Sequence, residues 1–437
     1  MFRRAAALTL ALAFAFSLPI WADDSGDTKA RIRHIRELGR GDSQSITALA
    51  GFLKDPAVEV RFEAVKAIAG IGTQYSLEPL ARATHDDDSE IQIMATDGLV
   101  NFYLPGYAAK GLGGSFTRTT RLVRGFFNIR NDQVVDAGIQ VRDDVGQALG
   151  DLVGLEVDTL EARANAALAA GILRARLAVP GLEAALRARD TDLIFEALVA
   201  LEKIRDPSAG PAAAALAQDP DEKIQTLALE TVGILRSVTS GANVRQALDR
   251  ARSAKVRRAA LQALAMIATA QDRAILLRYS ADRDPQLRAA AIEGLGRLRD
   301  PEDMPTVEET FNEQNLDERV RLAAAFAVVM EGKVETSEFS ALRYLVNSLN
   351  LKSHSGITQA YLTELLRRRE VRQAVQPLIE EPTCTKDEKI LTAQSLAESG
   401  APDALPVIER LAKDTNPDVS VAATRSLRLL RSQLPIQ

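Results

Sequence analysis

The sequence predicts an all-α fold: a right-handed α-solenoid of about ten to twelve helix pairs, with one irregular unit that carries an insertion. Three observations predict it. First, the stretch at residues 55–72, DPAVEVRFEAVKAIAGIG, is written again and again along the chain. It has an apolar anchor (Val60), a small residue four positions on (Ala64) and an apolar pair beyond (Ala67, Ile68). The frame returns at Ile91/Ala95, Ala162/Ala166, Leu193/Ala197, Ile224/Ala228, Val256/Ala260, Leu287/Ala291, Val320/Ala324 and Val419/Ala423, with looser copies at Val141, Ile357 and Ile390. Second, most anchors lie 29 to 33 residues apart. A fixed period of that length marks an array whose unit is one helix pair that cannot bury its apolar face alone. Third, Ala, Leu, Arg and Glu dominate, aromatics are only 5%, and Gly and Pro fall mostly between units. The 437 residues would otherwise suggest several domains, but an array grows along one axis and escapes that expectation.

The first residues follow a different rule. Arg3 and Arg4 precede an uninterrupted apolar run at 5–18, and Pro19-Ile20-Trp21-Ala22 leads into Asp23-Asp24. Basic, apolar, then a small residue is the pattern of a secretory signal peptide. The run is shorter than the roughly 20 residues of a spanning helix. The expectation is a signal peptide at 1–22, cleavage near Ala22 and an exported chain, periplasmic or secreted, without a transmembrane span. Loss of Arg3 and Arg4 shifts the net charge from −5 to −7, so no bulk positive field draws nucleic acid. The single cysteine, Cys384, closes no internal disulfide and builds no thiolate cage. It reads as a loop thiol, with intermolecular pairing as the alternative.

Taken in order, 23–42 is a polar leader, one short amphipathic helix that caps the array. Residues 43–103 hold the first regular units. Within them Asp55-Pro56 turns the chain into the anchor helix, because Pro suits the first helical turn and Asp caps its exposed amides. The rhythm then breaks, with a basic and aromatic insertion placed at 104–135. From 136 to 437 the array resumes, and Asp206-Pro207, Asp219-Pro220, Asp284-Pro285 and Asp300-Pro301 punctuate its joints. The apolar three-four spacing inside each segment is that of amphipathic helices.

DPAVEVRFEAVKAIAGIG, SAKVRRAALQALAMIA, RDPQLRAAAIEGLGRL and LDERVRLAAAFAVVM resemble HEAT repeats, in particular the short bacterial units of the phycobilisome-lyase type. The resemblance covers nearly the whole chain beyond the leader and residues 104–131. It implies that the second helix of each pair lines a concave face. It also implies a ladder between units, formed by Asp before the turn and Arg after the anchor: Asp55, Asp219 and Asp284 with Arg61, Arg163, Arg257, Arg288 and Arg321. Gln92, Ile194, Gln225, Thr358, Leu391 and Ser420 replace Arg elsewhere and interrupt it. For these arginines the structural role is favoured over ligand binding. The fold does not fix the job.

Signs of chemistry are few. His34, His85 and His354 are far apart and none belongs to a His-Glu or His-x-x-x-His pair, which disfavours a histidine metal site. His85-Asp86-Asp87-Asp88 lacks the spacing of a calcium loop and reads as a turn that caps the next helix. No Gly-x-Ser-x-Gly elbow or phosphate-binding lysine loop is present, and Gly111–Gly114 follows no strand. No catalytic residue, cofactor or metal ligand is therefore assigned.

The strongest lead is 104–131, LPGYAAKGLGGSFTRTTRLVRGFFNIRN. It has cations at Lys110, Arg118, Arg121, Arg124 and Arg130, interleaved with Tyr107, Phe116, Phe126 and Phe127, and no acidic residue. Exposed aromatic and Arg clusters anchor interfaces. The competing reading is that the aromatics fill an irregular unit and the arginines are only solvated. The functional expectation is a non-enzymatic protein-binding scaffold in a bacterial envelope, with a protein partner on the concave face or on this insertion. Docking of the insertion on anionic lipid or polymer is the second reading, and a lyase-like enzyme a remote third. If the residue at anchor plus four faces a helix seam, Ala260→Phe and Ala291→Phe will each cost roughly 1–3 kcal/mol. Unchanged melting temperatures for both would show that the inward face is misassigned.

Overall fold

The computed structural model describes residues 24–107, 132–136, 138–155 and 160–434, and the residues described contain α-helices and short 3-10 turns but no strand. Residues 1–22 and most of the 104–135 insertion lie outside the described residues. A lead-in helix, α1 (Asp24–Leu38), precedes eleven helix pairs. The pairs are α2 (Ser45–Gly51) with α3 (Val58–Ile71), α4 (Leu77–Ala83) with α5 (Ser89–Tyr103), and α6 (Asp143–Gly154) with α7 (Leu160–Leu173). Next come α8 (Val179–Ala185) with α9 (Thr191–Ile204), α10 (Gly210–Ala214) with α11 (Glu222–Ile234), and α12 (Gly241–Arg250) with α13 (Ala254–Ile267). Then follow α14 (Arg273–Tyr279) with α15 (Pro285–Leu298) and α16 (Met304–Asn312) with α17 (Glu318–Glu331). The last are α18 (Ala341–Asn347) with α19 (Ser355–Leu365), α20 (Arg369–Glu380) with α21 (Lys386–Glu398), and α22 (Leu405–Leu411) with α23 (Pro417–Gln433).

Each second helix packs on the second helix of the next pair, from α3 through α5, α7 and onward to α23, so these helices form one continuous layer. The alanines at anchor plus four (Ala64, Ala95, Ala166, Ala197, Ala228, Ala260, Ala291, Ala324, Ala423) are all fully buried. A methyl group at the seam is what allows the axes to approach closely. Gly296 of α15 takes this further: a Cβ there would sit 2.5 Å from the Cα of Ala327 in α17. Joints are held by the expected caps. Asp284 accepts from the backbone N–H of Gln286 at 2.9 Å, and Asp300 from that of Glu302 at 3.1 Å. Asp88, at the end of the acidic turn, accepts from Glu90 and Ile91 at the start of α5. The leader helix is more than a polar cap, since its Ile35 is fully buried and Arg31 pairs with Asp55 at 3.0 Å.

Two of the looser copies depart from the expected frame. Val141 is not an anchor: it precedes α6, the first helix of a pair whose second helix carries the Ala162 anchor. The third pair is therefore complete, and the surplus residues lie between α5 and α6. Ile357 does not enter the core either. It is 44% exposed, and Thr358, Tyr361, Leu362 and Leu365 are the buried residues of α19. A slip of one position turns a helix by about 100°. The buried face of α19 is therefore set from Thr358, one position later than the expected anchor, and Ile357 is left exposed.

Gly296→Ala is expected to lower stability by roughly 1–3 kcal/mol, because the new methyl meets backbone that cannot move aside. Gly70→Ala in α3, where a Cβ would meet nothing within 4 Å, is expected to be neutral or to stabilise by up to about 1 kcal/mol. Urea unfolding of both variants checks the seam directly.

Candidate functional site

At eight anchors the following residue has one repeated duty. Arg61 donates to the carbonyl of Asp55 (3.2 Å), Arg163 to Val153 (2.9 Å), Arg257 to Ala251 (3.3 Å), Arg288 to Ser280 (3.1 Å) and Arg321 to Glu313 (2.7 Å). Gln92, Gln225 and Ser420 do the same for Asp86, Ala217 and Ala412. A side chain on the first turn of the second helix thereby satisfies carbonyls left open where the first helix ends. This corrects the expected ladder. Asp55 pairs with Arg31 and Asp284 with Arg258 (2.7 Å), neither with a post-anchor arginine, and Asp219 accepts the backbone N–H of Asp221. Arg61 and Arg288 do reach the next unit, at Asp86 (2.8 Å) and Glu313 (2.5 Å). Burial would raise the Asp86 carboxyl, but the bond and charge of Arg61, with the hydrogen bonds of Asp88 and Asp87, together outweigh it and hold the group below its ordinary range.

The inner layer curves. Arg236, just past α11, donates to Glu364 of α19 at 2.6 Å, a contact between the fifth pair and the ninth. Side chains so far apart in sequence meet only on the inside of a bend, so the second helices line the concave face. There α19 meets α15. Glu364 also accepts two bonds from Arg297, at 3.0 and 2.8 Å, and Arg297 in turn pairs with Glu293. Tyr361 donates its hydroxyl to Glu293 at 2.7 Å, and Gln262 donates to the same carboxylate at 2.9 Å. Phe326 of α17 stacks on Tyr361 with ring centres 4.5 Å apart, and the Arg297 guanidinium lies 4.9 Å from the Phe326 ring centre. Burial alone would push the Glu364 carboxyl up; Arg297 and Arg236 prevail and lower it. The Tyr361 hydroxyl is pushed well up by burial and then by Glu293.

Beside this cluster the concave face holds a cavity of about 530 Å³. Its lining combines apolar Met266, Ala289, Ile357 and Ala360 with Lys255, Arg258 and Arg319. Of these residues the sequence singled out only Ile357, as a repeat anchor. Glu293 and Arg297 stand one helical turn apart, which is an ordinary surface pairing, and Tyr361 and Glu364 lie 68 and 67 residues from the partners they meet.

Of the residues proposed for the insertion, Tyr107 is half-buried and packs against the core. Lys110, Phe116, Arg118, Arg121, Arg124, Phe126, Phe127 and Arg130 lie outside the described residues. The Cys384 thiol, in the stretch between α20 and α21, is pushed up to about 12 by burial and by Glu388, so it stays protonated at neutral pH. Among the described residues no helix is long and apolar enough to cross a membrane.

A curved array of helix pairs with its second helices inside defines the class of protein, an α-solenoid. The model for HEAT repeats matches residues 19–100 and 241–328, so those stretches of the solenoid are HEAT repeats. No curated protein matches the chain. Among solved structures it is similar to the complex of CpcE and CpcF of phycocyanin lyase from Nostoc sp. PCC7120 (TM-score 0.33, 19% identity, 61% of this chain and 91% of that one). It is also similar to an engineered protein (0.31, 17%, 88% and 98%) and to human deoxyhypusine hydroxylase in complex with glycerol (0.27, 17%, 66% and 96%).

Glu364→Gln is expected to cost about 1–3 kcal/mol at neutral pH, because Arg236 loses its carboxylate and Arg297 keeps only Glu293. Since the folded state lowers this carboxyl, its contribution is complete above the ordinary value of 4.5 and fades as pH falls through the folded value. Wild type and variant are therefore expected to converge in acid, which a series of urea midpoints against pH will read.

Proposed function

We propose that this chain is a non-enzymatic protein-binding scaffold of a bacterial cell envelope, with its partner held on the concave face, by the insertion at 104–131, or by both. The observation that carries the reading is the inner face between α11 and α19. There a cavity large enough for several side chains joins apolar lining to exposed Lys255 and Arg319. Apolar anchors ringed by charge suit recognition of protein surfaces. Solenoids offer such faces at length, and HEAT repeats are suited to protein interaction. The envelope assignment rests on the basic, apolar, small-residue pattern of residues 1–22. The non-enzymatic assignment rests on the sequence, which brings no nucleophile and base together. The insertion supports a second reading, docking on anionic lipid, because five cations and no acid fall within 104–131.

Affinity capture from native envelope extract tests the proposal with three proteins: the intact chain, an Ile357→Arg/Ala360→Arg variant that fills the cavity, and a chain whose residues 104–131 are replaced by a short Gly/Ser linker. A protein retained by the intact chain and lost with the cavity variant is the expected result. Loss only with the linker version moves the contact to the insertion, and sedimentation with anionic vesicles abolished by the linker favours lipid. Capture of nothing by the intact chain contradicts the scaffold reading.

A further inference from the structure

We propose that two arginines at the ends of successive inner helices, Arg174 and Arg205, form a binding pair for an extended acidic segment of a partner protein, a role that Arg236 of the next unit already fills within this chain by holding Glu364. This rests on the scaffold reading and names the chemistry of the partner.

The backbone gives the first reason. Arg174, Arg205 and Arg236 follow α7, α9 and α11 with φ of 51°, 58° and 55°, the left-handed region. In other units the equivalent place after the inner helix belongs to Gly72, Gly332 and Gly400, and after α15 to a further arginine, Arg299, all at positive φ. Glycine takes this conformation freely and a side chain does not, yet arginine stands there three times running at intervals of 31 residues. A cation favours a helix C-terminus in any case, but Lys203 in the last turn of α9 supplies one without occupying a strained position. Strain retained at equivalent positions points to a use for the side chains.

The side chains give the second reason. Arg174 and Arg205 are exposed, and neither makes a side-chain hydrogen bond or ion pair among the described residues. They are close enough for the charge of Arg205 to bear on Arg174. Like charges held side by side in a chain of net charge −5 favour an anionic guest. Arg236 identifies the kind of anion. Its Nη1 donates to the Met266 carbonyl at 2.9 Å, which fixes the guanidinium, and its Nη2 holds the Glu364 carboxylate at 2.6 Å. The acidic group that bears on Arg174 is again a glutamate, Glu398 of α21.

Spacing adds the form of the guest. Packed helices stand about 8–10 Å apart, and an extended chain rises about 3.3 Å per residue, so successive arginines match every third residue. The same helix ends already bind backbone of this chain: Val135 donates its N–H to the Ile172 carbonyl at 2.9 Å, and Lys203 donates to the Gln133 carbonyl at 3.1 Å.

The test is titration of two fluorescein-labelled twelve-residue peptides into the purified full chain at low salt. One peptide carries Asp at every third position in a Gly/Ser background, and the other has the same composition with its Asp residues clustered at one end. Fluorescence anisotropy is expected to show the spaced peptide bound at least fivefold more tightly than the clustered one. With the Arg174→Gly/Arg205→Gly chain its affinity is expected to fall at least tenfold, while the melting temperature does not fall, because glycine relieves the strained backbone. Several results would overturn the proposal: no binding of the spaced peptide, equal binding by both proteins, or a single-stranded oligonucleotide bound as tightly as the peptide. None of these bears on whether the intact chain captures a partner through its cavity, so failure of the pair and failure of the scaffold reading are separable.

Discussion

The rest of the structure depends on how closely one inner helix approaches the next. Fully buried alanines repeat at that seam, and at Gly296 even a methyl group would collide with the backbone of α17. Bulkier residues would hold the axes apart and straighten the array. Close approach on the inside is what bends it, and the bend brings α19 within reach of α11 and α15. The small residues of the repeat therefore have a consequence beyond their own packing: they decide that residues in pairs five, seven and nine share one surface.

On that surface the energetics change character. The seams are apolar and self-sufficient, whereas Glu293, Arg297, Glu364 and Arg236 are charges brought together at partial burial. Such a group stabilises only if nearly every donor and acceptor is matched. Here Tyr361, Gln262 and the Met266 carbonyl complete it, and Phe326 covers the Arg297 guanidinium. The network behaves as a strut between distant units. It ties α19 to α11 and α15, and the shifted anchor of α19 leaves Ile357 in the cavity lining.

The array was legible in the sequence because its cause is local. An apolar anchor and an alanine four residues later report one helix face, and Asp-Pro reports a turn, wherever they occur. The secretory pattern and the basic insertion were legible as composition, but composition does not say what such segments touch. The inner cluster was not legible. Arg236 and Glu364 are 128 residues apart, and only accumulated curvature over four units brings them together. The expected ladder misassigned its partners for a related reason. Spacing places an arginine on the first turn of a helix, but whether it takes the next unit's carboxylate or the carbonyls of its own pair depends on which lies nearer. The one-residue shift of the α19 anchor was not legible because Ile357 fits the apolar frame, whereas the residue actually buried is Thr358.

The central claim is that the charged strut on the concave face holds the curvature of the array. Small-angle X-ray scattering of the wild type beside an Arg297→Ala/Glu364→Ala chain tests it most directly, at equal helicity by circular dichroism. The account predicts a larger radius of gyration and a longer maximum dimension for the variant, as pairs nine to eleven swing away from pairs five to seven. Superimposable scattering curves would contradict it, and would show that the small-residue seams alone set the bend.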